Sequence, residues 1–238
     1  MSIRTSLPTL FRKHHPDSYV LALFLIIAVG LFAFLKLASE VAEGDTAAFD
    51  RWVLQALRNP ADPALPIGPD WLRRTMVDIT ALGGTPVLTL LVIVTAGYLV
   101  AARKAATAAF VVAAVTGGAL TSTLLKLLFA RARPDIVGHL VEVHSASFPS
   151  GHALNSAVTY LTLGALLART AGARSLRIYV MAVAVSLTLV IGFSRVYLGV
   201  HWPSDVIAGW CLGAAWAVLC SLIARTLQRR RTIEPETK

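Results

Sequence analysis

Six long apolar runs, near residues 19–38, 81–102, 105–129, 151–169, 177–197 and 204–225, leave this chain few ways to fold. Each is near the length an α-helix needs to cross about 30 Å of hydrocarbon. In a bilayer the backbone of each run satisfies its own hydrogen bonds only as a helix. The runs therefore predict an all-α, polytopic membrane protein with six transmembrane helices in a bundle. Their interruptions are mostly Ser, Thr and Gly, which neighbouring helices can bury against one another. Gly209 and Gly213 form a GxxxG pair, read as close packing inside the bundle rather than as a dimer contact. Only 15% of the residues are charged, which excludes a disordered chain and a typical soluble enzyme. Cys211 and Cys220 stand nine residues apart, about 13.5 Å along a helix. That is beyond the roughly 7 Å a disulfide allows, so they read as free core residues.

The chain reads as a single integral-membrane domain, 1–238. Residues 1–18 form a cytoplasmic N-terminus, 39–80 an outer-face connection, and 226–238 a cytoplasmic tail. The first run is basic upstream (Arg4, Arg12, Lys13), like a signal peptide. Its apolar core from Tyr19 to about Leu35 is longer than a signal sequence uses, so it is read as a retained span. Within 39–80, Asp45 to Arg58 predicts a short interfacial helix. Ala48, Trp52, Leu57 and, less cleanly, Leu54 share its apolar side; Asp50, Arg51 and Arg58 are polar. Pro60, Pro63, Pro66 and Pro69 then end helical structure, with Trp52 and Trp71 at headgroup level.

The formal net charge of +9 is unevenly placed. Six spans put the N-terminus, the connections after the second and fourth spans, and the C-terminus on one side. Those segments hold 13 of the 22 bases but only Asp17, Glu234 and Glu236 among the acids. The remainder is nearly neutral. The positive-inside rule then places both termini in the cytoplasm of a bacterial-type inner membrane. The basic balance reports topology, and no nucleic-acid partner is implied.

Three polar clusters fall on the outward ends of the spans. Lys126-x6-Arg133-Pro134 leaves the third span, Phe148-Pro149-Ser150-Gly151-His152 enters the fourth, and Ser194-Arg195-x5-His201-x3-Asp205 joins the fifth to the sixth. Converging cations suit a phosphate, with Arg as a two-pronged donor and Lys as a point charge. Ser150 is a candidate N-cap, and the N–H groups beyond it make an anion site beside His152. Asp205 can hydrogen-bond one nitrogen of His201 and free the other as a nucleophile; either nitrogen fits the spacing. Arg131 reads as a headgroup contact, and Asp135 as a partner that occupies it and leaves Arg133 free. His139, Glu142 and His144 lie on the same outer loop.

Together the three clusters resemble the signature of the type 2 phosphatidic acid phosphatase superfamily, which also contains the vanadium haloperoxidases. The signature covers residues 126–205, and the span pattern extends the likeness over most of the chain. The resemblance implies a phosphatase without metal or cofactor that works through a phosphohistidine. His201 would attack phosphorus, Asp205 would orient it, and His152 would protonate the leaving oxygen. Lys126, Arg133, Arg195, Ser150 and Gly151 would hold the phosphoryl oxygens. The implied substrate is a membrane lipid carrying a phosphate monoester or pyrophosphate: phosphatidic acid, phosphatidylglycerol phosphate, undecaprenyl pyrophosphate or lipid A phosphate. An outward site favours undecaprenyl pyrophosphate. A lipid phosphotransferase using the same site, or a lipid transporter, are the competing readings.

Overall fold

The computed structural model describes residues 15–230 and 232, so Arg4, Arg12, Lys13, Arg231, Glu234, Glu236 and Lys238 lie outside the described residues. Eight helices account for most of the described chain: α1 (His15–Glu43), α2 (Ala47–Ala56), α3 (Asp70–Ala81), α4 (Thr85–Ala101), α5 (Ala105–Phe129), α6 (Gly151–Thr170), α7 (Arg174–Tyr197) and α8 (Pro203–Arg229). A two-stranded antiparallel ribbon, β1 (Arg58–Asn59) and β2 (Asp62–Pro66), lies between α2 and α3.

Each of the six apolar runs is a helix. By length and composition, four described segments can cross a membrane: Val20–Glu43 within α1, α5, α7, and Pro203–Gln228 within α8. A fifth arises if α3 and α4, joined across a 47° bend, count as one. α6 lacks the hydropathy of the other runs because His152, Asn155, Ser156, Thr159 and Thr162 interrupt it. Ser156 and Thr159 are fully buried, which is where a central helix can hold hydroxyls. α1, α4, α5 and α7 instead turn large side chains outward, such as Phe32 on α1 and Leu127 on α5, at 69% and 75% exposure. An apolar surface this continuous is a lipid-facing one.

α6 packs extensively against α7 and α8, and α1 lies along α8. Small residues set the spacing. A Cβ on Gly209 would stand 2.9 Å from Ala153 Cβ, and one on Gly213 2.6 Å from Ala157 Cβ. The GxxxG pair thus seats α8 on α6, as its sequence reading expects. The Trp210 indole covers Gly192 of α7 and donates to the Thr188 carbonyl at 3.1 Å. Both cysteines are free.

The 39–80 connection is more structured than four prolines suggest. α2 falls where the amphipathic helix was expected, but it buries a different face. Thr46, Asp50 and Leu54 are buried, whereas Ala48 and Trp52 are exposed. Pro60 lies in the turn of the ribbon, Pro63 and Pro66 lie in β2 itself, and Pro69 stands at the N-cap of α3. Helix α3 was not anticipated. Its signal was present in Leu72, Met76 and Ile79 at helical spacing, partly buried on one side.

Candidate active site

The ends of five helices meet at one end of the bundle: the C-termini of α3, α5 and α7 and the N-termini of α6 and α8. α5 stops at Phe129, where Ala130 takes a left-handed conformation (φ 43°). The chain from there to Ser150 folds back over the helix ends. Ser147 N–H donates to the Arg131 carbonyl at 2.9 Å, and Lys126 Nζ to the Ala146 carbonyl at 2.5 Å. Ser150 caps α6, its hydroxyl oxygen accepting from Ala153 N–H at 3.4 Å. Ser150 N–H in turn donates to the Asp205 carbonyl at 3.0 Å, tying the start of α6 to the start of α8. The N–H groups of Gly151 and His152 meet no acceptor among the described residues. They are free for an anion, with the positive end of the helix dipole behind them. A Cβ on Gly151 would stand 3.4 Å from Lys126 Cε, so the lysine stem passes directly over this turn.

Pro203 opens α8, and His201 lies just before it. His201 is 1% exposed. Its Nδ1 is 3.2 Å from Asp205 Oδ2 and 3.4 Å from Ser147 Oγ. The same carboxylate oxygen accepts from Trp202 N–H at 3.0 Å and from the Ser147 hydroxyl. An oxygen that only accepts demands a proton on Nδ1, which leaves the lone pair on Nε2. Nε2 faces Arg133, whose Nη1 lies 3.2 Å away and also donates to the Val200 carbonyl at 2.6 Å. The rest of that guanidinium holds Ser145: Nε to its carbonyl at 2.8 Å and Nη2 to its hydroxyl at 3.3 Å. Arg195, 4% exposed, donates from Nη1 to Thr80 Oγ1 at 3.0 Å and keeps Nε unpaired. Arg133 and Arg195 lie within electrostatic reach of both Lys126 and His201, and His152 within reach of all four. The structure therefore brings together every residue the three clusters nominated.

Burial pushes the His201 imidazole well below its ordinary value; Arg133 and Arg195 push the same way, and the bond to Asp205 offsets them only in part. The ring is thus neutral through the range where a free histidine gains its proton, near 6.5. The sign for activity follows directly. Loss of activity through His201 protonation is expected only below that range, which a pH profile of kcat/KM would show as an acid limb displaced downward.

His152 makes no side-chain hydrogen bond among the described residues and has Gly83 against its edge. A Cβ on Gly83 would meet Ile191 Cγ2 at 2.4 Å and His152 Cδ2 at 3.2 Å. Gly83→Ala should displace this ring and lower kcat by about tenfold or more. Assay of the purified variant, normalised to folded protein, checks this.

Arg131 departs from expectation. It does not pair with Asp135, which is exposed. Its Nη1 donates to Asp205 Oδ1 at 2.6 Å and Ser204 Oγ at 2.8 Å, and its Nη2 to Asp50 Oδ2 at 2.8 Å and Thr46 Oγ1 at 3.2 Å. Buried carboxylates within reach outcompete an exposed neighbour, where an ion pair is worth little. Asp50, Ser147 and Thr80, which lie outside the three clusters, and Ser204, an unspecified position within the third, thus line the candidate site. His139 turns back on the Pro134 carbonyl at 2.6 Å.

The PAP2 superfamily model matches residues 106–229, which contain all three clusters. Phosphatidylglycerophosphatase B of Bacillus subtilis is 31% identical over 189 residues, covering 78% of this chain and 88% of the relative. The crystal structure of a transmembrane PAP2-type phosphatidylglycerolphosphate phosphatase from Bacillus subtilis superposes with a TM-score of 0.77 at 28% identity, over 85% of this chain and 98% of that one. Decaprenylphosphoryl-5-phosphoribose phosphatase of Mycobacterium tuberculosis is 34% identical over 113 residues, 46% of this chain and 57% of that protein. The chain belongs to the PAP2 superfamily. It has the membrane phosphatase fold of that family and is a lipid phosphatase.

Proposed function

We propose that this phosphatase removes the terminal phosphate from a lipid phosphate monoester or pyrophosphate through a phosphohistidine on His201 Nε2, without a metal ion. The observation that carries the reading is the setting of His201. Its Nδ1 is backed by a carboxylate, and its Nε2, which carries the lone pair, faces Arg133 Nη1 at 3.2 Å. In the first step the Nε2 lone pair forms the N–P bond, the bond from phosphorus to the leaving oxygen breaks, and His152 supplies the proton to that oxygen. In the second, His152 takes a proton from water as the water oxygen displaces Nε2. Lys126, Arg133, Arg195, the Ser150 hydroxyl and the Gly151 N–H hold the phosphoryl oxygens, where charge builds in each transition state.

Six membrane spans, α1 and α4 to α8, with the site at the outer surface of an inner membrane, fit the charge distribution and the alternation of helix ends around the site. Exposed Trp52 and Trp71 suit the headgroup layer beside it. A lipid headgroup then reaches the site without leaving the bilayer. Phosphatidylglycerol phosphate and undecaprenyl pyrophosphate are the foremost candidates. The first is favoured by the named activity of a relative that spans most of the chain, the second by an outward-facing site.

Release of orthophosphate from a panel of lipid phosphates and pyrophosphates, in chelator and with no acceptor lipid, tests this. Turnover of at least one lipid phosphate or pyrophosphate in chelator is expected. Absolute dependence on an added divalent cation would contradict the metal-free mechanism. Dependence on an acceptor lipid would identify a phosphotransferase instead.

A further inference from the structure

We propose that Asp50, on α2 and outside the region matched by the family, is a positioning residue of this site that acts on the His201–Asp205 pair through Arg131. The inference rests on the reading of His201 given above. Among the acids whose burial is described, only Asp50 and Asp205 are buried, each at 0% exposure, and they share the single guanidinium of Arg131. Asp50 is also the anchor for the start of α8. Its Oδ1 accepts from Ser204 N–H at 2.9 Å and its Oδ2 from Ser204 Oγ at 2.6 Å. The Arg131 guanidinium lies 5.7 Å from the Trp202 ring centroid, which fixes its other face.

The arrangement sets both geometry and charge. Arg131 Nη1 holds Asp205 Oδ1, so the carboxylate presents Oδ2 to His201 Nδ1. Two carboxylates on one guanidinium leave a net charge of −1 facing the imidazole. That charge matters when Nε2 takes the phosphoryl group, because the ring then keeps its Nδ1 proton and becomes cationic. Without the Asp50 charge, Arg131 is left to Asp205 alone, the cluster becomes neutral, and the developing imidazolium loses its counter-ion. Asp50 touches neither substrate nor reacting atoms, so its loss acts on the chemical step. Lys126, Arg133, Arg195 and the start of α6 keep their grip on phosphate.

The test is steady-state kinetics on the full-length protein in detergent, with Asp50→Asn, Ser204→Ala and His201→Ala compared at equal amounts of monodisperse protein. Asp50→Asn preserves shape and removes charge; kcat is expected to fall about 10–100-fold, with KM within about threefold of wild type. Ser204→Ala removes one donor to Asp50 and is expected to lower kcat about 3–10-fold, again with KM nearly unchanged. If Asp50→Asn does not yield folded protein, Ser204→Ala decides. Wild-type kcat in the folded variants, or an effect confined to KM, overturns the proposal while an inactive His201→Ala leaves the site reading intact. An active His201→Ala overturns both.

Discussion

His201→Ala is expected to lower phosphate release at least about 10⁴-fold, the largest effect of any single substitution in this protein. No other described side chain can replace it. His152 is carried by a different element, the first turn of α6, and the backing of Ser147, Trp202 N–H and Asp205 is built around the position of the His201 ring. The phosphate grip should survive, because Lys126, Arg133, Arg195 and the free N–H groups of Gly151 and His152 are supplied by other elements. The variant should therefore still bind orthophosphate, which isothermal titration or competition in a binding assay would measure. Loss of turnover with retained binding separates a missing nucleophile from a collapsed site.

Arg133→Lys is expected to cost about 10²–10³-fold in kcat/KM, although the charge is kept. The guanidinium spans Ser145 on one side and Val200 with His201 on the other, with donors at 2.6–3.3 Å. An ammonium is a point charge with no fork and cannot reach both walls at once. The substitution thus loosens the segment carrying Ser145 to Ser147 as well as weakening phosphate binding. Both kcat and KM should move, unlike the pattern expected for Asp50→Asn. Steady-state kinetics on the two variants side by side would display the contrast.

The meeting of the three clusters was legible in the sequence because each sits near a helix end marked by local chemistry. Pro134 closes the first cluster, Ser150 and Gly151 begin α6, and Pro203 begins α8. Hydropathy alternation then brought those ends together without any knowledge of contacts. What remained hidden depends on pairing across long separations. Asp50 finds Arg131 81 residues away and Ser204 154 residues away. On an amphipathic helix a carboxylate is ordinarily assigned to water, and nothing local says that this one is turned inward. The assignment of Arg131 to Asp135 failed for the same reason, since proximity in sequence stood in for burial. Ser147 and Thr80 carry no distinguishing neighbourhood. α3 was obscured by the prolines before it, which were read as ending helical structure, whereas Pro69 precedes a new helix.

The most direct test of the central claim is the stereochemical course at phosphorus, followed with a chiral, isotopically labelled lipid phosphate analogue. Attack by His201 Nε2 followed by attack of water gives two in-line displacements, each inverting the configuration. The account predicts overall retention. Overall inversion would mean that water attacks the lipid phosphate directly, and would contradict a phosphohistidine at His201.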